Sequence, residues 1–293
     1  SSMSRAAMAM ETSEPLAIKI ASGAFCSPPP RASLPFADAA DFEAADRGFL
    51  GTLADPVIRK DDGSVVWDCS AYGFLTGDAP TTVHPSLWRP SILCAKHGLY
   101  EVAEGIYQVR GLDLSVMSVI EGDDGVVVID PLISKETAAA AMALYREHRG
   151  DRTIKAVVYT HSHVDHFGGV LGIVDPAEVA AGAVEIVAPA ELVGHAVAEN
   201  VYAGVAMGRR AGYMYGAALR QGPDGQVGAG LGQTTSTGSP GIVLPTIEVA
   251  ATGETHTLAG LAWEFPMAPR TAAPAVMHFP SPGMRALCMA ENV

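Results

Sequence analysis

Residues 160–169 read Thr-His-Ser-His-Val-Asp-His-Phe-Gly-Gly and bring His161, His163, Asp165 and His166 close together in sequence. In an extended backbone, side chains two apart point to the same side, so His161 and His163 can close on one metal ion. Where the chain turns toward a helix at Asp165, that carboxylate and His166 swing to a neighbouring position. One loop thus offers ligands to two ions. Imidazole and carboxylate donors without thiolate favour zinc over iron or manganese. Three histidines and an aspartate at this spacing after an apolar run are unlike scattered surface histidines.

The elements around this loop must hold it rigid. Residues 154–160 (IKAVVYT) form a β-branched run that leads directly into His161. Before it, GIYQVRG, LSVMSVIEG and GVVVIDPL read as three strands of an antiparallel sheet that ends at Asp130. Residues 134–149 start with Ser134 and continue in Ala, Met, Leu and Glu, which predicts a capped helix. Gly168 and Gly169 allow the helix expected after the loop to pack close to the sheet. VEIVAPAEL predicts another strand, and 191–219 a helix broken at Gly204 or Gly212. Residues 222–241 are dense in Gly, Ser and Thr but lack the lysine of a phosphate-cradling loop, so a surface loop is expected. TIEVA, THTL and AWEFPM resume strand character. The first 45 residues read as a poorly ordered tail, 46–98 as an irregular lead-in packed on the body, and 99–293 as the main domain.

Composition narrows the partners. The 293 residues carry 32 acidic and 19 basic side chains, a formal charge of −13, which argues against nucleic acid and anionic membrane surfaces. Four cysteines (Cys26, Cys69, Cys94, Cys288), none in a C-x-x-C pair, read as buried or incidental thiols. No apolar run is long enough to cross a bilayer. Glu11 and Glu14 interrupt any secretory apolar segment, and the compartment is left open.

The metal loop is the signature of the metallo-β-lactamase superfamily. Taken with VWDCSAYGFL, PSLWRPSIL, HGLYEVAEGIYQVRG, ENVYAG, GRRAGYMYG, GLGQTTSTG, TGETHTLAG and ALCMAEN, the chain from about residue 50 onward resembles the alkyl sulfatase branch. The resemblance implies an α/β (α+β) fold, the four-layer αβ/βα sandwich, and two zinc ions that hydrolyse dodecyl-sulfate-like esters to alcohol and sulfate. By resemblance, His161 and His163 serve the first zinc, Asp165 and His166 the second, and Glu291 in MAEN bridges both. Asp165 and Glu291 are thereby the residues nearest the chemistry. Asp130 matches the acid that supports the metal loop from behind its ligands. Residues that grip the substrate are not assigned, although Val201, Met207, Tyr213, Met214 and Tyr215 lie on a helix that could line an alkyl pocket.

Two departures from the family are visible. Its Thr-Glu-Ala-Pro-Ala-Glu run, whose first Glu completes the first zinc site, reads Thr271-Ala272-Ala273-Pro274-Ala275-Val276 here. Ala272 cannot coordinate, and His278 is the nearby imidazole that offers a substitute. Family members also continue past the MAEN block into a last zinc-ligating histidine, sulfate-gripping residues, a dimerisation region and a further domain. The resemblance therefore implies a sandwich cut short at its C-terminal side, a homodimer only where that region is present, and two rivals to sulfatase activity. One is a different hydrolase of the same fold. The other is an inactive binder of metal or amphiphile.

Overall fold

The computed structural model describes residues 35–292, and the first 34 residues of the tail expected over 1–45 lie outside them. Residues 42–293 make one compact unit. Contrary to the poorly ordered tail expected up to residue 45, a helix α1 (Ala40–Asp46) comes first. The stretch expected to be irregular holds β1 (Phe49–Gly51), β2 (Val57–Arg59), β3 (Val65–Asp68) and α2 (Pro85–Cys94). Its Trp67 and Trp88 are buried, and each donates its indole N–H to a backbone oxygen, of Gly111 and Gly77. Proline at the start of α2 suits a helix that His84 caps through Nδ1.

The sheet proper is built from β4 (Gly98–Ala103), β5 (Ile106–Arg110), β6 (Met117–Glu121) and β7 (Val126–Ile129). Helix α3 (Lys135–Arg149) then crosses to β8 (Ile154–Val158). After the metal loop come α4 (Pro176–Ala180), β9 (Glu185–Pro189), α5 (Leu192–Val197), α6 (Gly204–Tyr215) and β10 (Ile247–Val249). The eight-stranded order is β1-β4-β5-β6-β7-β8-β9-β10, antiparallel up to β7 and parallel from there. Two hairpins follow, β11 (Glu254–Leu258) with β12 (Leu261–Phe265) and β13 (Phe279–Ser281) with β14 (Ala286–Cys288).

Strand β7 shows why both faces are covered. All four of its residues are buried, and alternate ones join different cores, as a period of two requires. Val126 and Val128 pack with Met142, Leu144 and Tyr145 of α3, while Val127 and Ile129 pack with Trp263, Phe265 and Phe279 of the hairpins. The described residues therefore form a helix layer, a large sheet and a smaller β layer. Ser134 caps α3 by accepting from Thr137 N, and Gly150 at φ 84° ends it.

The Gly-rich segment 222–241 is not the surface loop expected. Gln226, Val227, Gln233 and Ser236 are buried in it. Its anchor is Asp113, which accepts from Leu114 N, Ser236 N, Ser236 Oγ, Thr137 Oγ1 and Ile133 N. Burial pushes the Asp113 carboxyl upward, against the pull of these donors. Asp113→Ala strands several buried donors at once, and a loss of about 3 kcal/mol is expected in urea unfolding. A loss under about 1 kcal/mol would show that water replaces the carboxylate without cost.

Candidate metal centre

The loop after β8 is held from behind by Asp130. This residue adopts φ 52°, an uncommon backbone conformation that aspartate tolerates better than most residues. Its carboxylate then accepts from Thr160 N at 2.8 Å and Thr160 Oγ1 at 2.7 Å, and lies 2.8 Å from His166 Nδ1. Thr160 Oγ1 is also 2.8 Å from His161 Nδ1. Both imidazoles are thus fixed on one nitrogen and present the other, Nε2, to the site. The segment after His166 packs against the β7–α3 connection rather than the sheet. A Cβ on Gly169 would lie 2.0 Å from the Pro131 carbonyl oxygen, and one on Gly168 2.2 Å from that of Ile133.

The helical turn anticipated at Asp165 is a short 3₁₀ turn, Val164–His166. It separates the donors into two sets. His161 Nε2 and His163 Nδ1 stand 3.0 Å apart, and each is 3.4 Å from Glu291 Oε2. His166 Nε2 lies 3.3 Å from Asp165 Oδ2 and 3.2 Å from Glu291 Oε1. Glu291 follows β14 and presents one carboxylate oxygen to each set. The five residues expected to gather do so, and sequence spacing alone gave no reason to bring in Glu291.

The donor set suits divalent metal. Donor atoms about 2.05 Å from a tetrahedral centre lie roughly 3.3 Å apart, close to the separations here. Candidate groupings are His161 with His163 and Glu291, and Asp165 with His166 and Glu291. Asp130, although near His161 and His166, already has its oxygens occupied and acts as their support.

His278 does not stand in for the ligand missing at Ala272. Its Nε2 is 2.8 Å from Asn292 Nδ2, which also lies 2.6 Å from Thr271 Oγ1. The imidazole ties down the turn that carries Glu291. Val276, two residues before His278, pairs in an isolated bridge with His161, and Met277 N donates to Thr160 O. The 271–278 segment therefore buttresses the metal loop even though Ala272 contributes no donor.

The charges tune one another. Hydrogen bonds from His161, His163 and His166 hold the Glu291 carboxyl far below the ordinary range. Burial disfavours the charged form of His166, but the Asp130 charge and its hydrogen bonds raise that imidazole well above its usual value. The Glu291 hydrogen bond likewise raises His163. Without metal, a raised imidazole contributes stability below about pH 6.5 that is lost as pH rises through its folded value. The depressed carboxylate contributes above about pH 4.5, and that part is lost only as pH falls through its folded value. In chelator, the melting temperature is expected to fall as pH rises above about 6.5. A flat or rising profile there would contradict the coupled imidazole–carboxylate cluster. Metal affinity should move the opposite way, because binding displaces these protons.

A cleft of about 460 Å³ opens over His163, Asp165 and Glu291, walled by Ile133, Met207, Ala211, Tyr215, Leu231 and Thr235. The helix expected over 191–219 breaks before Gly204, where a π-helical turn (Ala198–Tyr202) brings Glu199 to the cleft and within 4.0 Å of His163 Nε2. Of the expected alkyl-lining residues, Met207 and Tyr215 face this space. Val201, Tyr213 and Met214 do not line it and are solvent-exposed, with Tyr213 88% exposed. Glu199 and Thr235 were missed in the sequence because neither stands in a metal-ligand spacing.

The family model described as the metallo-beta-lactamase superfamily matches residues 110–269, more than half of the chain. The chain belongs to this superfamily. Within it, the chain is 52% identical over 261 residues to a linear primary-alkylsulfatase from Pseudomonas sp., covering 88% of this chain and 39% of that protein. It is 44% identical to the alkyl/aryl-sulfatase BDS1 of Saccharomyces cerevisiae, over 89% of this chain and 40% of that protein. The solved structure of the stereoselective inverting sec-alkylsulfatase Pisa1 from Pseudomonas sp. matches with a TM-score of 0.83 at 46% identity, over 87% of this chain and 40% of that one. This superfamily member thus spans about 40% of the length of these relatives. No described helix is long and apolar enough to cross a membrane.

Proposed function

We propose that the site hydrolyses alkyl sulfate esters, linear dodecyl-sulfate-like ones included, using two zinc ions. The observation that carries this reading is Glu291, whose Oε2 faces the His161–His163 pair while Oε1 faces His166. His161, His163 and Glu291 would hold one ion, and Asp165, His166 and Glu291 the other. When bound, zinc supplies water acidified to near neutral pH and positive charge opposite the sulfate oxygens.

The chain's own residues do the remainder. Asp130 and Thr160 lock the His166 and His161 rings, so their Nε2 atoms need no reorganisation when a ligand arrives. Asp165, held ionised by His166 despite its burial, and Glu291 keep negative charge at the reacting centre. Ile133, Met207 and Tyr215 give the cleft an apolar wall that suits an alkyl chain and excludes water. The alkylsulfatase names of the relatives support the ester class.

The deciding experiment is sulfate release from dodecyl sulfate by the zinc-loaded chain, assayed beside a thioester, a lactam and a phosphodiester. Turnover on dodecyl sulfate alone supports the proposal. Turnover only on another substrate points to a different hydrolase of this fold, and tight zinc binding with no turnover points to an inactive binder. Ala272 is the feature that favours the latter. Ala272→Glu is accordingly expected to tighten zinc at the His161–His163 pair by about tenfold or more, read by competition with a chromogenic chelator. Unchanged affinity would show that the 271–276 segment serves only as a buttress.

A further inference from the structure

A second cavity, of about 160 Å³, lies beside the cleft and shares Leu114 and Leu231 with it. It is bordered by Leu93, Cys94, Tyr100 and Val116. The charged groups on its border are already engaged. Arg110 stacks over the Tyr100 ring at 4.5 Å and bonds Gln108, Lys96 pairs with Asp46, and Asp113 accepts its several donors. What remains for an occupant is the hydrocarbon of Leu93, Tyr100, Leu114, Val116 and Leu231, with the unpartnered Gln233 amide on one wall. Asp113 also fixes the partition, since it bonds Leu114 N on one side and Ser236 of the 222–241 segment on the other.

We propose that Leu114 and Leu231 are specificity-determining residues that close one side of the cleft, and that the second cavity is a subsite for the terminal methylenes of a long alkyl chain. The inference rests on the alkyl sulfate reading. A chain short enough to stop at the partition binds in the cleft alone. A longer one must displace these two side chains to enter the second space. Leu231 is 56% exposed and therefore free to yield, whereas Leu114 is half-buried and tied at its backbone.

The test uses n-alkyl sulfonates of six to fourteen carbons as probes, kept below their micelle-forming concentrations. Their carbon–sulfur bond replaces the ester, so binding is read without turnover. Calorimetric titration of the zinc-loaded protein should show affinity rising about fourfold per methylene and then levelling off. In Leu231→Ala and Leu114→Ala the rise should continue for at least two more methylenes, making the longest probe about tenfold tighter or more. Leu231→Trp should bring the plateau to shorter chains, and because Leu231 is exposed its variants are expected to fold. The same plateau in all variants overturns the partition while leaving the sulfatase reading intact. Failure of the unmodified protein to bind any of the probes overturns both.

Discussion

On the proposed two-zinc sulfatase reading, replacing Glu291 with alanine is expected to leave one bound ion or fewer and to lower sulfate release by at least about 10³-fold, or ~4 kcal/mol of barrier. The magnitude follows from position. Its two oxygens lie 3.2–3.4 Å from nitrogen donors of all three loop histidines, so a single truncation opens both candidate metal groups. The side chain is 40% exposed, so the fold should survive the change. Mass spectrometry of the native protein counts the ions, and a variant that still holds two would overturn the bridging role proposed for Glu291.

The second large effect concerns Asp130, which touches no open face of the site. Asp130→Ala is expected to weaken zinc binding about 10- to 100-fold and to destabilise the metal-free protein by roughly 3 kcal/mol. Three groups lose their acceptor together: Thr160 N, Thr160 Oγ1 and His166 Nδ1, all buried. The His166 ring is then free to turn or change tautomer. Asp130→Asn separates the two consequences, because it keeps the volume and one acceptor but offers an N–H to His166 Nδ1. Its stability should recover more than its zinc affinity. Equal recovery of both, measured by thermal unfolding and chelator competition, would mean that Asp130 matters only for packing.

The metal loop was legible because its information is local. Residues 161–166 carry four donors, and the apolar run before them forms β8 as the pattern requires. Helix α3 was equally legible, since Ser134, the alanine-rich middle and Gly150 are start, propensity and stop signals within one segment. Glu291 was different. Its place in the site depends on the β13–β14 hairpin, the Asn292–His278 contact and the bridge from Val276 to His161, all contacts between distant segments. Only the family resemblance pointed to it. The 222–241 segment misled for the same reason. Its glycines and hydroxyls look like solvent-facing chain, but the acceptor that buries Ser236 is Asp113, 123 residues away. The early helices α1 and α2 were missed because prolines in α2 and the Ala-Asp composition of α1 mask a short period.

The distance along the chain between His166 and Glu291, 125 residues, sets a timetable for the protein's birth. Closing a flexible loop of that length costs about 4 kcal/mol of entropy before the contact returns anything. A ribosome adding 5–20 residues per second needs roughly 6 to 25 s to travel from one to the other. During that interval the nascent chain already displays three histidines and an aspartate, with no carboxylate to join the two donor sets. Metal captured then is held loosely by a half-built cradle, and tight retention marks a chain whose distant segments have come together. Tight metal retention would thereby report, readably from outside, that the segment carrying Glu291 has reached the loop.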